Sequence, residues 1–320
     1  MLTAMAVVLF VVDVAIGSVD IPLGDVWASL TGGDVAPGTR RIVTDIRLVK
    51  ALTAVLAGGA LSVSGLQMQT MFQNPLAGPY VLGISSGAGL GVALFMLGAP
   101  LLGAMGVSVG GMGIAAMAWL GAAAVLAVIA AVGARIRDIM VILILGMMLG
   151  SALGAVVQVL QYFSDEASLK AYVVWTMGSL TDVTWGRMWV MLPAVAVGMV
   201  IAVATVKVLN LMLLGDDYAR TMGLNIKRGR LGVFASTTLL AGTVTAFCGP
   251  IAFIGLAMPH VARWLLGSAD HRVLIPGAFL VGTVVLLACD IAARFATVPV
   301  NALTSLLGIP IVVWIVMKNR

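Results

Sequence analysis

The chain has 320 residues, 61% of them hydrophobic and 10% charged, with a formal net charge of +5 and a mean hydropathy of +1.13. Soluble domains carry about 25% charged residues, so this composition excludes a water-soluble enzyme or binding module and places the chain in a bilayer. A hydrocarbon core of about 30 Å takes about 20 helical residues per crossing, so the length accommodates on the order of ten spans.

Apolar stretches predict spans at about 2 to 17, 51 to 73, 81 to 97, 107 to 133, 139 to 162, 188 to 209, 231 to 247, 250 to 266, 273 to 295 and 300 to 317. The first is short enough to suggest a secretory signal, but it lacks a basic start and a small-residue cleavage site. Nothing cationic precedes Arg40, so no basic N-terminal extension is expected. Asp13 lies inside this first span, where a carboxylate is costly without a partner. A structural, hydrogen-bonded group and a pathway group are both open readings for it.

The second span carries Gly58, Gly59, Ala60, Ser62, Ser64 and Gly65, small residues that let helices approach closely in lipid, which predicts an inner helix. It breaks at Asn74-Pro75 and restarts after Pro79. A backbone crossing lipid must satisfy its own hydrogen bonds, so the segment QNPLAGP at 73 to 79 is expected at a pore mouth or at the membrane edge. The fifth span carries Met147, Met148, Ser151, Gln158 and Gln161 and has no Lys or carboxylate. An uncharged wall suits a bulky cargo that must pass without being gripped, whereas ion-coupled carriers use intramembrane ionisable groups.

Between the sixth and seventh spans lies GDDYARTMGLNIKRGR, residues 215 to 230. Asp216 and Asp217 precede Arg220 by four and three residues, which supports a short helix with its acids at the N-terminal end. Gly223 then resembles a helix stop. A solvated loop with one helical turn is the alternative. Cys248 and Cys289 sit in separate apolar spans and read as core, and His260 and His271 are too sparse for a metal site. The sequence has no HExxH, no nucleophile elbow and no GxxxxGK[ST] phosphate loop, so this chain does not itself hydrolyse ATP.

Lys and Arg favour cytoplasmic loops. With both termini inside, the inner set is Arg135, Arg137, Lys207, Arg220, Lys227, Arg228, Arg230, Arg263, Arg272, Lys318 and Arg320. The outer set is the smaller one, Arg40, Arg41, Arg47, Lys50, Lys170, Arg187 and Arg294. Four of these outer cations crowd between the first two spans.

Several ordered blocks resemble the permease subunits of bacterial ABC importers for cobalamin, haem and ferric siderophores, the FecCD type. They are Arg47-Leu48-Val49-Lys50, Asn74-Pro75-Leu76-Ala77, Leu82 to Ala88, the segment GDDYARTMGL at 215 to 224, GPIAFIGLAMPHVAR at 249 to 263, and Leu307-Gly308-Ile309-Pro310. The resemblance covers almost the full chain. It departs at Val49 and Lys50, where the family shows Pro and Arg, and in a short connection after Arg294. Lysine cannot supply the bidentate contact of an arginine there.

The resemblance implies an all-α polytopic membrane protein of about ten transmembrane helices with the type II ABC importer permease fold, a single permease domain over residues 1 to 320, and a cytoplasmic coupling segment at 215 to 225. It implies a bacterial inner-membrane, multi-pass location with both termini cytoplasmic. The implied cargo is a bulky metal chelate, ferric siderophore or haem, with cobalamin as the alternative, moved from periplasm to cytoplasm by alternating access at a homodimer interface. The implied partners are a second copy of the chain, two cytoplasmic ATPase subunits that bind ATP and Mg, a periplasmic substrate-binding protein and the lipid bilayer, with no nucleic acid. No cofactor or metal is expected on this chain, and it is not itself an enzyme.

Residue by residue, the resemblance assigns ATPase coupling to Gly215, Asp216, Asp217, Ala219, Arg220, Gly223 and Leu224. It assigns a cytoplasmic gate to Asn74, Pro75, Leu76, Asp138, Ile139 and Met140, and pathway lining to Met147, Ser151 and Gln158. Binding-protein docking falls to Arg47, Lys50 and Arg294; the alternative is that Lys50 reaches to the lipid headgroups and Arg294 pairs with Asp290, four residues earlier. An ion-coupled carrier is the second functional class, for which only Asp13 and Asp290 come close to the buried acids required. An intramembrane enzyme is the third, and no catalytic constellation supports it.

Overall fold

A computed structural model of the chain describes residues 1–17, 19–98, 111–133, 136 and 138–318. Arg135, Arg137 and Arg320 of the charge count, and the start of the span expected at 107, lie outside the described residues. In chain order the helices are α1 (Leu2–Ala15), α2 (Leu23–Thr31), α3 (Pro37–Arg41), which runs through a π-helical stretch Ile42–Arg47 into α4 (Leu48–Met71), and α5 (Ile84–Met96). There follow α6 (Gly111–Gly133), α7 (Ile139–Phe163), α8 (Glu166–Thr176), α9 (Trp185–Ala204), α10 (Val206–Met212) and α11 (Asp216–Thr221). The chain closes with α12 (Ile226–Cys248), α13 (Ile254–Leu266), α14 (His271–Ala296) and α15 (Val300–Lys318). Every described element is helical.

Six helical runs are long and apolar enough to cross a membrane: Pro37–Met71, Met112–Gly133, Ile139–Phe163, Trp185–Ala204, Ile226–Cys248 and His271–Ala296. The stretches expected to span at 2 to 17, 81 to 97 and 300 to 317 form shorter apolar helices, and that at 250 to 266 is a helix of 13 residues. The span expected at 188 to 209 is divided, because α9 ends at Ala204 and a new helix starts at Val206. Length and composition alone therefore do not bear out the count of ten.

Helix α4 is the hub, packed by α1, α9, α10, α12, α13 and α14. Its glycines explain why. A Cβ on Gly58 would lie 2.3 Å from the carbonyl oxygen of Gly282 on α14, and one on Gly65 would lie 1.6 Å from that of Gly255 on α13. Only hydrogen fits at such crossings, and the gain is dispersion between backbones that lipid cannot supply. Buried polar groups tie the same helix to its neighbours. Gln67 Nε2 donates to Ser236 Oγ on α12 (3.0 Å), its Oε1 accepts from Thr237 (3.1 Å), and Ser236 donates to the carbonyl of Gly198 on α9 (2.9 Å). The inner position expected for this helix is thus found, with two-thirds of its most apolar window buried, against 17% for α7. Cys248 and Cys289 are free and buried, as expected of core residues.

Candidate functional site

The break after α4 is built from short-range bonds and then pinned from a distance. Asn74 Oδ1 accepts from the Leu76 amide (2.9 Å), and the Ala77 amide donates to the Asn74 carbonyl (3.1 Å), which turns the chain without a helix. His260 Nε2 then reaches the Pro75 carbonyl (2.7 Å), so α13 holds the break directly. One turn earlier, Gln69 bridges the same pair of helices: its Nε2 donates to the Leu256 carbonyl (2.9 Å) and its Oε1 accepts from Arg263 (2.5 Å). The blocks at 74 to 77 and 249 to 263 are thereby one structural unit. Leu76 stays 47% exposed.

Asp138 caps α7 by accepting from the Met140 amide (2.8 Å), and Met140 is exposed beside it. The segment leading from the break into α5 packs on α7, where a Cβ on Gly146 would stand 2.8 Å from the Val81 carbonyl oxygen. Met147, Ser151 and Gln158 all lie on exposed positions of α7, on an uncharged face. Ser151 turns its hydroxyl back to the Met147 carbonyl (3.1 Å).

A second polar cluster, missed by the sequence reading, joins the end of α4 to the chain leading into the 215–224 segment. Thr70 Oγ1 and His271 Nε2 are 2.8 Å apart, His271 Nδ1 lies 2.7 Å from Asn210 Oδ1, and Asn210 Nδ2 donates to Asp270 Oδ1 (2.6 Å). Gln73 donates to the Met212 carbonyl (2.9 Å). Asp270 caps α14 through the Arg272 amide, and this bond with that from Asn210 holds its carboxyl below the usual range. The one sequence signal was the row of amides and hydroxyls Gln67, Gln69 and Thr70 at the end of α4, with Gln73 just beyond it.

The 215–224 segment folds as α11. Gly215 enters at φ +94°, Asp216 and Asp217 occupy the first turn, and Ala219 is fully buried. The helix ends in a Schellman motif: the Gly223 amide donates to the Arg220 carbonyl (2.9 Å) and the Leu224 amide to that of Ala219 (3.0 Å), with Gly223 at φ +82°. Arg230 on α12 pairs with Asp216 and fixes the segment to the bundle, whereas Arg220 and Asp217 are a loose pair at 4.0 Å. Tyr218 and Met222 are exposed.

At the opposite end, the three expected docking cations come together but point inward. Arg47 is buried and donates to the carbonyls of Val14, Ala15 (2.6 Å) and Val19, closing the end of α1. Lys50 pairs with Asp290 (2.9 Å), and Arg294 bridges Asp290 (2.7 Å) and Asp13 (2.5 Å). Lys50, Asp290 and Arg294 still line a small surface cavity of about 230 Å³. Arg40 and Arg41 remain exposed at the same end. Among the described residues, no cluster of His, Cys, Asp and Glu could hold a metal ion.

A bundle of apolar helices, broken after its central helix and bearing the short α10 and α11 between the long α9 and α12, has the build of a multi-pass membrane protein. Residues 5–318 match the FecCD transport family, and the chain belongs to it. It is 35% identical over 328 residues to the hemin transport system permease protein of Yersinia pestis, covering 100% of this chain and 95% of that protein. It is 36% identical over 301 residues to a vitamin B12 import system permease protein of Escherichia coli, covering 93% and 90%. A solved structure described as an inward-facing metal-chelate type ABC transporter superposes with a TM-score of 0.86 at 27% identity, covering 99% of this chain and 97% of that one. The chain is a FecCD-type ABC importer permease, and in this family ATP hydrolysis lies in a separate subunit.

Proposed function

We propose that two copies of the chain form a central path that carries a bulky metal chelate, ferric siderophore or haem, from periplasm to cytoplasm, with cobalamin as the alternative cargo. One observation carries this reading: the face of α7 bearing Met147, Ser151 and Gln158 is exposed along a 25-residue helix without a charged side chain. A self-complementary wall of this kind serves as interface and channel lining together, and twofold assemblies are the commonest closed oligomers. The relatives named for hemin and vitamin B12 support both cargoes.

Two ATPase subunits, binding ATP and Mg, would seat on α11 through Tyr218 and Met222, with Asp216, Asp217, Ala219, Arg220 and Leu224 shaping the helix. The inner gate falls to Asn74, Pro75 and Leu76 with Asp138, Ile139 and Met140. The bond from Gln73 to Met212 supports this, because it connects the broken segment to the chain that leads into α11, while that from His260 to Pro75 ties the segment to α13. A periplasmic binding protein would dock where Lys50 and Arg294 line the outer cavity, with Arg47 holding its rim and Arg40 and Arg41 supplying long-range attraction. Both termini are then cytoplasmic.

The test is uptake by proteoliposomes holding this chain, its ATPase and its binding protein, offered haem, a ferric siderophore or cobalamin. ATP-dependent uptake of one chelate is expected. Uptake that persists without ATP and follows a proton or sodium gradient would refute the reading.

A further inference from the structure

Apart from the α7 face and the α11 helix, a cavity of about 1000 Å³ lies between α9, α10 and α14. Val203 and Ile275 form apolar walls, and Phe279, which packs over Gly59 of α4, forms part of the floor. Val203 is 59% exposed, so the groove opens on the outer surface of the bundle, where hydrocarbon surrounds a membrane protein. Two cations, Lys207 and Arg272, line it, and both sit at the end of the bundle that bears α11, because α10 leads into that segment and α14 starts beside it.

Both side chains are exposed, and neither is in an ion pair among the described residues. Asp270, the adjacent carboxylate, does not line the cavity, and its Oδ1 is taken by Asn210 and the Arg272 amide. His271 reaches the cavity, but both ring nitrogens are engaged by Thr70 and Asn210, so it offers a ligand no free nitrogen. An apolar cleft open to lipid, with two exposed cations at its headgroup end that make no close ion pair among the described residues, matches an amphiphile with an anionic head.

We propose that this groove binds an anionic phospholipid of the adjoining leaflet, with its acyl chains along Val203, Ile275 and Phe279 and its phosphate between Lys207 and Arg272. The bound lipid braces α10 against α14 at the His271 joint, next to the coupling segment. This site does not depend on which cargo the chain carries.

The purified full chain would be titrated with phosphatidylglycerol or phosphatidylcholine of identical acyl chains, and bound lipid counted by native mass spectrometry. Saturable binding with preference for phosphatidylglycerol is expected. The double substitution Lys207→Gln and Arg272→Gln should weaken that lipid about tenfold and phosphatidylcholine, whose choline ammonium already offsets its phosphate, by clearly less. Val203→Trp keeps both cations but fills the groove, and it should weaken both lipids. Equal affinity of the wild type for the two lipids, or phosphatidylglycerol binding untouched by either variant, would overturn the proposal.

Discussion

Asp290 sits between Lys50 and Arg294 with its side chain 3% exposed, so its two bonds are made where water screens them little. Removing one partner of a buried pair leaves uncompensated charge, at a cost of about 3–5 kcal/mol. Asp290→Ala is therefore expected to lower thermal stability in detergent strongly, whereas reversing the exposed Arg40 and Arg41 should leave it unchanged and slow binding-protein association at low salt. Equal melting of Asp290→Ala and wild type would show that the outer network contributes nothing to the fold. Asp13 takes part in the same network as a hydrogen-bonded partner of Arg294, which is the structural reading of that residue. Its other carboxylate oxygen makes no hydrogen bond among the described residues, and neither does Arg294 Nε.

Helix α4 and its neighbours are joined through glycine, and the short α11 is stopped by one, for different physical reasons. At Gly65 the limit is space: any side chain meets the Gly255 backbone at 1.6 Å, so Gly65→Val must part α4 from α13 and should unfold or prevent insertion of the bundle. At Gly223 there is open room, and only the backbone angle of +82° restricts the choice. Gly223→Val is thus expected to leave the protein folded while straining the stop by about 1–2 kcal/mol, lowering ATP-driven uptake. Gly223→Asn, which tolerates that angle, should retain more activity than Gly223→Val. Identical uptake by the two variants would mean that the left-handed turn is irrelevant to coupling.

For the molecule as a whole, the uneven burial of the long helices is informative. Helices α4, α12 and α14 are buried over roughly two-thirds or more of their most apolar windows, while α6, α7 and α9 are buried over less than a third of theirs. Lipid satisfies an apolar exposed face, so exposure by itself does not demand a partner; the serine and glutamine on α7 are what favour one. Single cysteines placed at Met147, Ser151 and Gln158, with Cys248 and Cys289 replaced, should crosslink to the same position in a second copy. The crosslinks should recur at helical spacing and change when ATP is added with the ATPase present. A purified complex with one copy of this chain would rule out the shared path.

The sequence by itself determined what depends on composition and near neighbours. Apolar content set the bilayer as solvent, small residues marked α4 as the inner helix, and the acids before Arg220 with Gly223 after it delimited α11 within a residue or two, because caps and turns are made by adjacent groups. The order of motif blocks disclosed the family. Tertiary structure alone decided what the polar side chains meet. Arg294 finds Asp13 across 281 residues and Gln69 finds Arg263 across 194, separations that no local pattern encodes. Arg47 and Lys50 read as outer docking cations for that reason, while the pair of Arg294 with Asp290 four residues earlier was legible as an alternative; each of the three is engaged within the bundle, because a charge removed from water goes to the nearest carboxylate or carbonyl that the fold presents. The groove of Lys207 and Arg272 was invisible for the same reason, since it exists only where residues of α9, α10 and α14 come together.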